Sequence, residues 1–239
     1  GYVPRYDNCQ ECHGSQIRVE MRRGDPHYET RYRSLRINCE SCHGPGRRHV
    51  ELARSDQIPG QADIGLPALD TLDERASVAV CLRCHSLKTP LRGDYLPGKT
   101  FESHYALKMP MLGGRPYYPD GRVRTFAYQG THLSSLCFVS GSMTCTDCHA
   151  PHSGEYRDHV GRPVESRFGN GQCTSCHPSK SGPALERHTR HPASSEGSQC
   201  VRCHMPYLQQ QQLGERIRYG RSDHSIPVPR PAFDDSIGL

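Results

Sequence analysis

The sequence predicts a loop-rich fold with short α-helices and little β structure, built around something other than a conventional apolar core. Three observations lead there. Only 34% of the 239 residues are hydrophobic, and mean hydropathy is −0.75. Gly (23) and Pro (19) are abundant, and Trp is absent. Thirteen Cys and fifteen His are far more than a chain of this length ordinarily carries. Leu, Ile, Val and Phe alone would give a thin interior.

The cysteines account for the missing interior. Twelve of the thirteen fall in six copies of Cys-x-x-Cys-His. The cysteine pairs are Cys9 and Cys12, Cys39 and Cys42, Cys81 and Cys84, Cys145 and Cys148, Cys173 and Cys176, and Cys200 and Cys203. The histidines that follow are His13, His43, His85, His149, His177 and His204. A shuffled chain of the same composition would hold roughly 0.04 copies, so the repetition is not a by-product of Cys and His richness. This is the attachment pattern of c-type haem. On a helical turn, positions i, i+3 and i+4 share a face. Two thiols then meet the vinyl-derived carbons on one porphyrin edge, and the next imidazole points at the iron as its proximal ligand.

Zinc ribbons also use Cys pairs, and a disulfide framework would use the same even count. Neither explains a His directly after every second Cys. Six haem c groups leave about 40 residues for each, so the fold class becomes a mostly irregular wrapper around a chain of six haems.

Nine His remain for the distal positions: His27, His49, His104, His132, His152, His159, His188, His191 and His224. That supply exceeds the six that bis-His ligation throughout would need, whereas Met totals only five. Bis-His iron is low-spin and closed, which suits electron transfer. His152 follows His149 by three residues, too close to wrap the same porphyrin, and is expected on a different haem. His49 follows His43 in the same manner. A surface histidine is the alternative reading of each. His188 and His191 lie between Pro183, suited to a first helical turn, and Pro192, which stops a helix. Their i, i+3 spacing sets them on one face, as two ligands or as a ligand and a propionate partner. His224 reads as a clamp returning from the C-terminal tail. His27, His104 and His132 occupy stretches between motifs, and His159 is the expected spare.

In chain order, haems one to three occupy about residues 1–95 and a connecting region about 96–139. Haems four to six follow over about 140–210, then an extended tail over about 211–239, in a single unit of residues 1–239. Thr71 and Glu74 form a capping-box pattern that predicts a helix over about 72–85, delivering the third motif. A short helix after Arg47 would carry His49. Residues 28–37 and 122–128 read as small strands. The tail from Pro227 cannot be helical at its start.

All but four of the 30 Lys and Arg residues are Arg. Guanidinium groups pair bidentately with carboxylates, and six haems bring about −12 in propionate charge, so the Arg excess reads as propionate compensation. Biased codon usage is the alternative. The basic residues are dispersed, which argues against a nucleic-acid partner. There is no apolar run of membrane-spanning length. The chain opens at Gly1 without Met or a signal peptide, and reads as already processed. Cys137, the odd cysteine, reads as a small buried hydrophobe.

Three blocks carry a resemblance: Cys39 to Gly46 with His49, Cys145 to His152 with Ser153 and Gly154, and Cys200 to Pro206 with His224. They resemble the multihaem cytochrome c family related to the tetrahaem electron-transfer cytochrome of ammonia oxidisers. The resemblance covers about half the chain. It implies export, haem attachment outside the cytoplasmic membrane, and distal roles for His49, His152 and His224. The chain is also similar to extracellular filament-forming cytochromes, in which haems run across subunit interfaces. That similarity implies a homo-polymer exchanging electrons with redox partner proteins or extracellular acceptors, and no catalytic residue. A soluble periplasmic shuttle, or a multihaem oxidoreductase of a small nitrogen or sulfur compound with one open haem, would carry the same motifs.

Overall fold

The computed structural model describes residues 10–21, 24, 28–58, 60, 63–93, 95–108, 117–124, 130–213 and 217–238. The expected ligands Cys9 and His27 lie outside them. The chain divides into two compact units. The first is residues 1–84 with 88–107, and the second is residues 85–87 with 108–239. The first of these boundaries falls between Cys84 and His85.

The first unit begins with α1 (Gln10–His13), which carries the end of the first motif. Strands β1 (Arg18–Met21) and β2 (Tyr28–Arg31) pair antiparallel, Arg18 opposite Arg31. The expected strand over 28–37 stops at Arg31, because the chain must turn toward Asn38, the cap of α2 (Cys39–His43). Beyond Arg31 only an isolated bridge, Ser15 to Ser34, continues the pairing. Helix α3 (Arg47–Arg54) carries His49, as expected. Helix α4 (Glu74–His85) delivers the third motif and buries Val78, Ala79 and Leu82 on one face. Its cap is Asp73, whose Oδ1 accepts the Ala76 N–H at 2.7 Å. The expected capping box from Thr71 does not form: Thr71 closes a preceding 3-10 turn, its hydroxyl donating to Ala68 O at 2.8 Å. Strands β3 (Lys88–Pro90) and β4 (Tyr105–Leu107) close the unit.

In the second unit, α5 (Leu136–Val139) follows a 3-10 turn over Gly130–Ser134. The fourth motif starts in a 3-10 turn (Cys145–Asp147) and runs into β5 (His149–Ala150), paired with β6 (Glu155–Tyr156). Helix α6 (Gly171–Thr174) holds Cys173, α7 (Pro183–Thr189) holds His188, and α8 (Cys200–His204) holds the sixth motif. The hairpin of β7 (Tyr207–Leu213) and β8 (Ile217–Ser222) is the longest pairing among the described residues, and its Gln-rich first strand has no alternation to announce it. Residues 227–230 are extended, but α9 (Pro231–Ser236) follows, because Pro at the first helical position costs no hydrogen bond. Of the expected strand over 122–128, only Val123 pairs, in an isolated bridge with Tyr117; residues 125–129 are not described.

Buried apolar side chains are few among the described residues. Val78, Ala79, Leu82, Tyr95, Phe101 and Tyr105 serve the first unit, and Tyr117, Tyr118, Val123 and Leu185 the second. In the second unit, charge takes part of the burial. The Arg122 guanidinium is 8% exposed and pairs with Asp120 at 2.5 Å and with Asp234 of α9, which pins the C-terminal helix.

Candidate haem-binding sites

The attachment motifs make their own helix starts. Asn38 precedes Cys39, and its N–H donates to the Ser41 hydroxyl at 3.1 Å from within the motif. The Thr144 N–H donates to Asp147 Oδ2 at 2.6 Å in the same way. The variable residues between the cysteines thus satisfy backbone donors that the first turn leaves exposed. Asn170 joins two motifs: it accepts the Cys200 N–H at 2.9 Å and donates to Ser198 O at 2.8 Å, one turn before Cys173.

Cysteines of different motifs converge. The Cys12 thiol donates to Cys84 O at 3.6 Å and the Cys84 thiol to Cys12 O at 3.9 Å. Cys42 and Cys81 interact electrostatically, as do Cys148 and Cys176, and Cys173 hydrogen-bonds Cys200. Burial, then the charge of Asp147, pushes the Cys148 thiol up to about 11.

Imidazole orientation is the sharper observation. His49 Nδ1 lies 2.8 Å from Ile64 O, and His104 Nδ1 lies 3.1 Å from Thr100 O. His204 Nδ1 lies 3.0 Å from Pro227 O, and His224 Nδ1 lies 3.0 Å from Ser222 O. A ring whose Nδ1–H donates to a carbonyl presents the Nε2 lone pair, the arrangement that metal-ligating histidines use. His132 is held the other way. Its Nε2 donates to Met143 O at 2.7 Å, and its Nδ1 faces the Ser135 hydroxyl at 3.4 Å.

Two pairs of rings face each other. His188 and His204 have centroids 6.1 Å apart and planes within 4°. His149 and His224 are 6.4 Å apart with planes at 20°. Two imidazoles on opposite sides of one metal, each nitrogen about 2.0–2.1 Å away, place their centroids about 6.3 Å apart. Both separations are close to that spacing. Burial holds His224 down at about 4, despite the Ser222 carbonyl, so the ring is neutral and able to ligate at neutral pH. Burial also lowers His149.

His104 is 5% exposed and set in an aromatic box, with Tyr95 edge-on at 5.5 Å and Phe101 against Tyr105 at 5.0 Å. Burial pushes Tyr95 up to about 12. His49 is positioned by Gly65. With φ +76°, Gly65 packs so closely that a Cβ there would lie 2.6 Å from His49 N. His152 is exposed in the turn between β5 and β6, and His159, His177 and His191 are exposed as well. His191 lies against Gly197, where a Cβ would meet the ring at 2.5 Å.

Sequence reasoning did not find the carbonyls of Ile64, Thr100, Ser222 and Pro227, since a carbonyl has no residue signature. It did not find Arg83 and Tyr95 either. Arg83 Nη1 donates to Ser41 O at 2.9 Å, while its buried Nε and the buried Tyr95 hydroxyl have no hydrogen-bond partner among the described residues. Orphaned donors, facing imidazoles and a sparse apolar interior all fit large flat cofactors bearing carboxylates.

No protein-family profile matches the chain. It is 26% identical over 165 residues to the multiheme cytochrome MtrA of Shewanella baltica (strain OS185), covering 64% of this chain and 45% of that protein. Its fold is similar to the crystal structure of outer cell wall cytochrome OcwA, with TM-score 0.57 and 17% identity over 96% of this chain and 58% of that one. The chain thus spans well under two thirds of either protein. A sequence relative named as a multiheme cytochrome and a fold neighbour named as a cytochrome stand beside the six Cys-x-x-Cys-His motifs, and together they support a multihaem c-type cytochrome.

Proposed function

We propose that the chain carries six haem c groups, one on each Cys-x-x-Cys-His, and moves electrons along them without catalysing a reaction of its own. The observation that carries this reading is the approach of His188 to His204 and of His149 to His224, at centroid separations close to those of two imidazoles sharing one iron. When bound, haem iron would supply a one-electron couple suited to electron transfer. The chain's part is to hold these rings. Pro227 O orients His204, Ser222 O orients His224 and α7 carries His188, and these rings would hold the iron. His49 and His104, with Nδ1 likewise tied, are the distal candidates of the first unit. Convergence of cysteines from different motifs supports closely packed rings, as electron hopping requires.

His188→Ala and His224→Ala test the reading. Each is expected to convert one haem to high spin in the oxidised spectrum, with haem number unchanged by intact mass. A spectrum that stays fully low-spin in both would sink the assignment.

The likeness to an outer cell wall cytochrome supports an exported location. No described helix is long and apolar enough to cross a membrane. The partners are redox proteins or extracellular electron acceptors. A homo-polymer is the assembly this reading favours, the surplus of His allowing one subunit to ligate a haem of the next. Negative-stain microscopy of native material is expected to show filaments, and discrete particles at high concentration would argue for a soluble shuttle.

A further inference from the structure

Arg83 and Tyr95 are unexplained by haem attachment or by axial ligation. Arg83 sits between Cys81 and Cys84, and its Nη1 bond to Ser41 O, at 2.9 Å, holds the guanidinium beside the second motif. Its Nε is buried without an acceptor. Tyr95 is 6% exposed, and its hydroxyl is also buried without a partner. Arg83 and Tyr95 are near enough to interact electrostatically, with Cys81 and Glu102 also close to Tyr95. Glu102 is already engaged on the surface by Arg75 at 3.0 Å. The described residues therefore leave both buried donors without an acceptor. Buried donors are seldom left unpaired, and a guanidinium with a phenol matches a carboxylate.

Resting on the haem reading above, we infer that Arg83 and Tyr95 together bind a haem propionate. A porphyrin carries its propionates on the edge opposite its thioethers. The ring attached at Cys81 and Cys84 therefore directs its own propionates away from Arg83, and the carboxylate comes from a neighbouring ring. Arg83 thereby becomes a positioning residue linking the attachment segment of one haem to the propionate edge of another. A cation on that carboxylate disfavours the ferric state and raises the reduction potential of that haem.

The test is potentiometric titration of the haem-loaded protein, with intact mass counting haems and the oxidised spectrum reporting ligation. Arg83→Gln is expected to make one haem about tenfold harder to reduce, about 59 mV for a one-electron couple, and to leave the others in place. Arg83→Lys should give a smaller shift. Tyr95→Phe, which keeps the ring packing, should move the same haem in the same direction by less. Should Arg83→Gln fail to mature, Tyr95→Phe still decides. Unmoved potentials with all haems attached and low-spin would overturn this inference alone and assign the donors to buried water. A wild-type chain without haem would overturn it together with the reading it rests on.

Discussion

Histidine 224 shows how much one ring's surroundings decide. Composition offers fifteen chemically equal imidazoles. What separates them is which nitrogen is already committed. His224 and His204 donate Nδ1–H to carbonyls and face other histidines, whereas His132 commits Nε2 to Met143 O. His132→Ala is therefore expected to leave the oxidised spectrum low-spin, while orphaning the Met143 carbonyl at a cost of about 1–3 kcal/mol. Denaturation followed by circular dichroism reads the cost, and a new high-spin signal would put His132 on an iron.

Asp158, 5% exposed, gives a pH prediction away from the expected ligands. Burial raises its pKa, but the Arg162 N–H at 2.9 Å and the Arg162 guanidinium at 2.7 Å outweigh burial, and the carboxyl is held below its ordinary value. A lowered carboxyl stabilises the fold fully above its unfolded pKa, and the contribution is lost as pH falls through the folded value. Denaturation midpoints of the wild type should drop more steeply below about pH 4 than those of Asp158→Asn. Parallel acid limbs would remove Asp158 from the account.

Among the elements, those with local chemical causes were readable in advance. Pro183 opens α7, α3 follows Arg47, and α4 ends on the third motif. The cap of α4 was misplaced because Thr71 and Asp73 both suit the position. Asp73 reaches the Ala76 N–H, while Thr71 is used by its own 3-10 turn. The β7 and β8 hairpin went unread because a Gln run has no period. Gly65 was also unmarked, and its role is particular: positive φ and a close approach to His49 both require the missing Cβ. Gly65→Ala should destabilise the protein by more than the roughly 1 kcal/mol of a permissive substitution, and displace His49. The expected reading is a lowered denaturation midpoint with a partial high-spin signal. A loss of stability with unchanged ligation would mean that His49 binds no iron.

The whole molecule follows from how little apolar side chain it buries. The described cores of both units are small and half aromatic, and that of the second unit is interrupted by the buried Arg122, Asp158 and Asp223. Such interiors do not offset the ordering entropy of so long a chain, so cofactor binding and folding should be one event. Expression without the haem-attachment machinery is expected to give a chain with little cooperative unfolding by circular dichroism. A sharp two-state transition of that material would show that the polypeptide suffices.

Chemistry written into neighbouring residues could be read from the linear chain: six Cys-x-x-Cys-His motifs, a further supply of histidines, a wrapper of loops. Covalent attachment needs only residues within one helical turn of each other, and spacing reports that directly. Which histidines meet could not be read this way. His188 meets His204, His224 meets His149, and Arg83 meets Ser41 across many residues of loop. Those meetings, and the carbonyls that orient each ring, depend on where the backbone returns after folding, which residue identity does not encode.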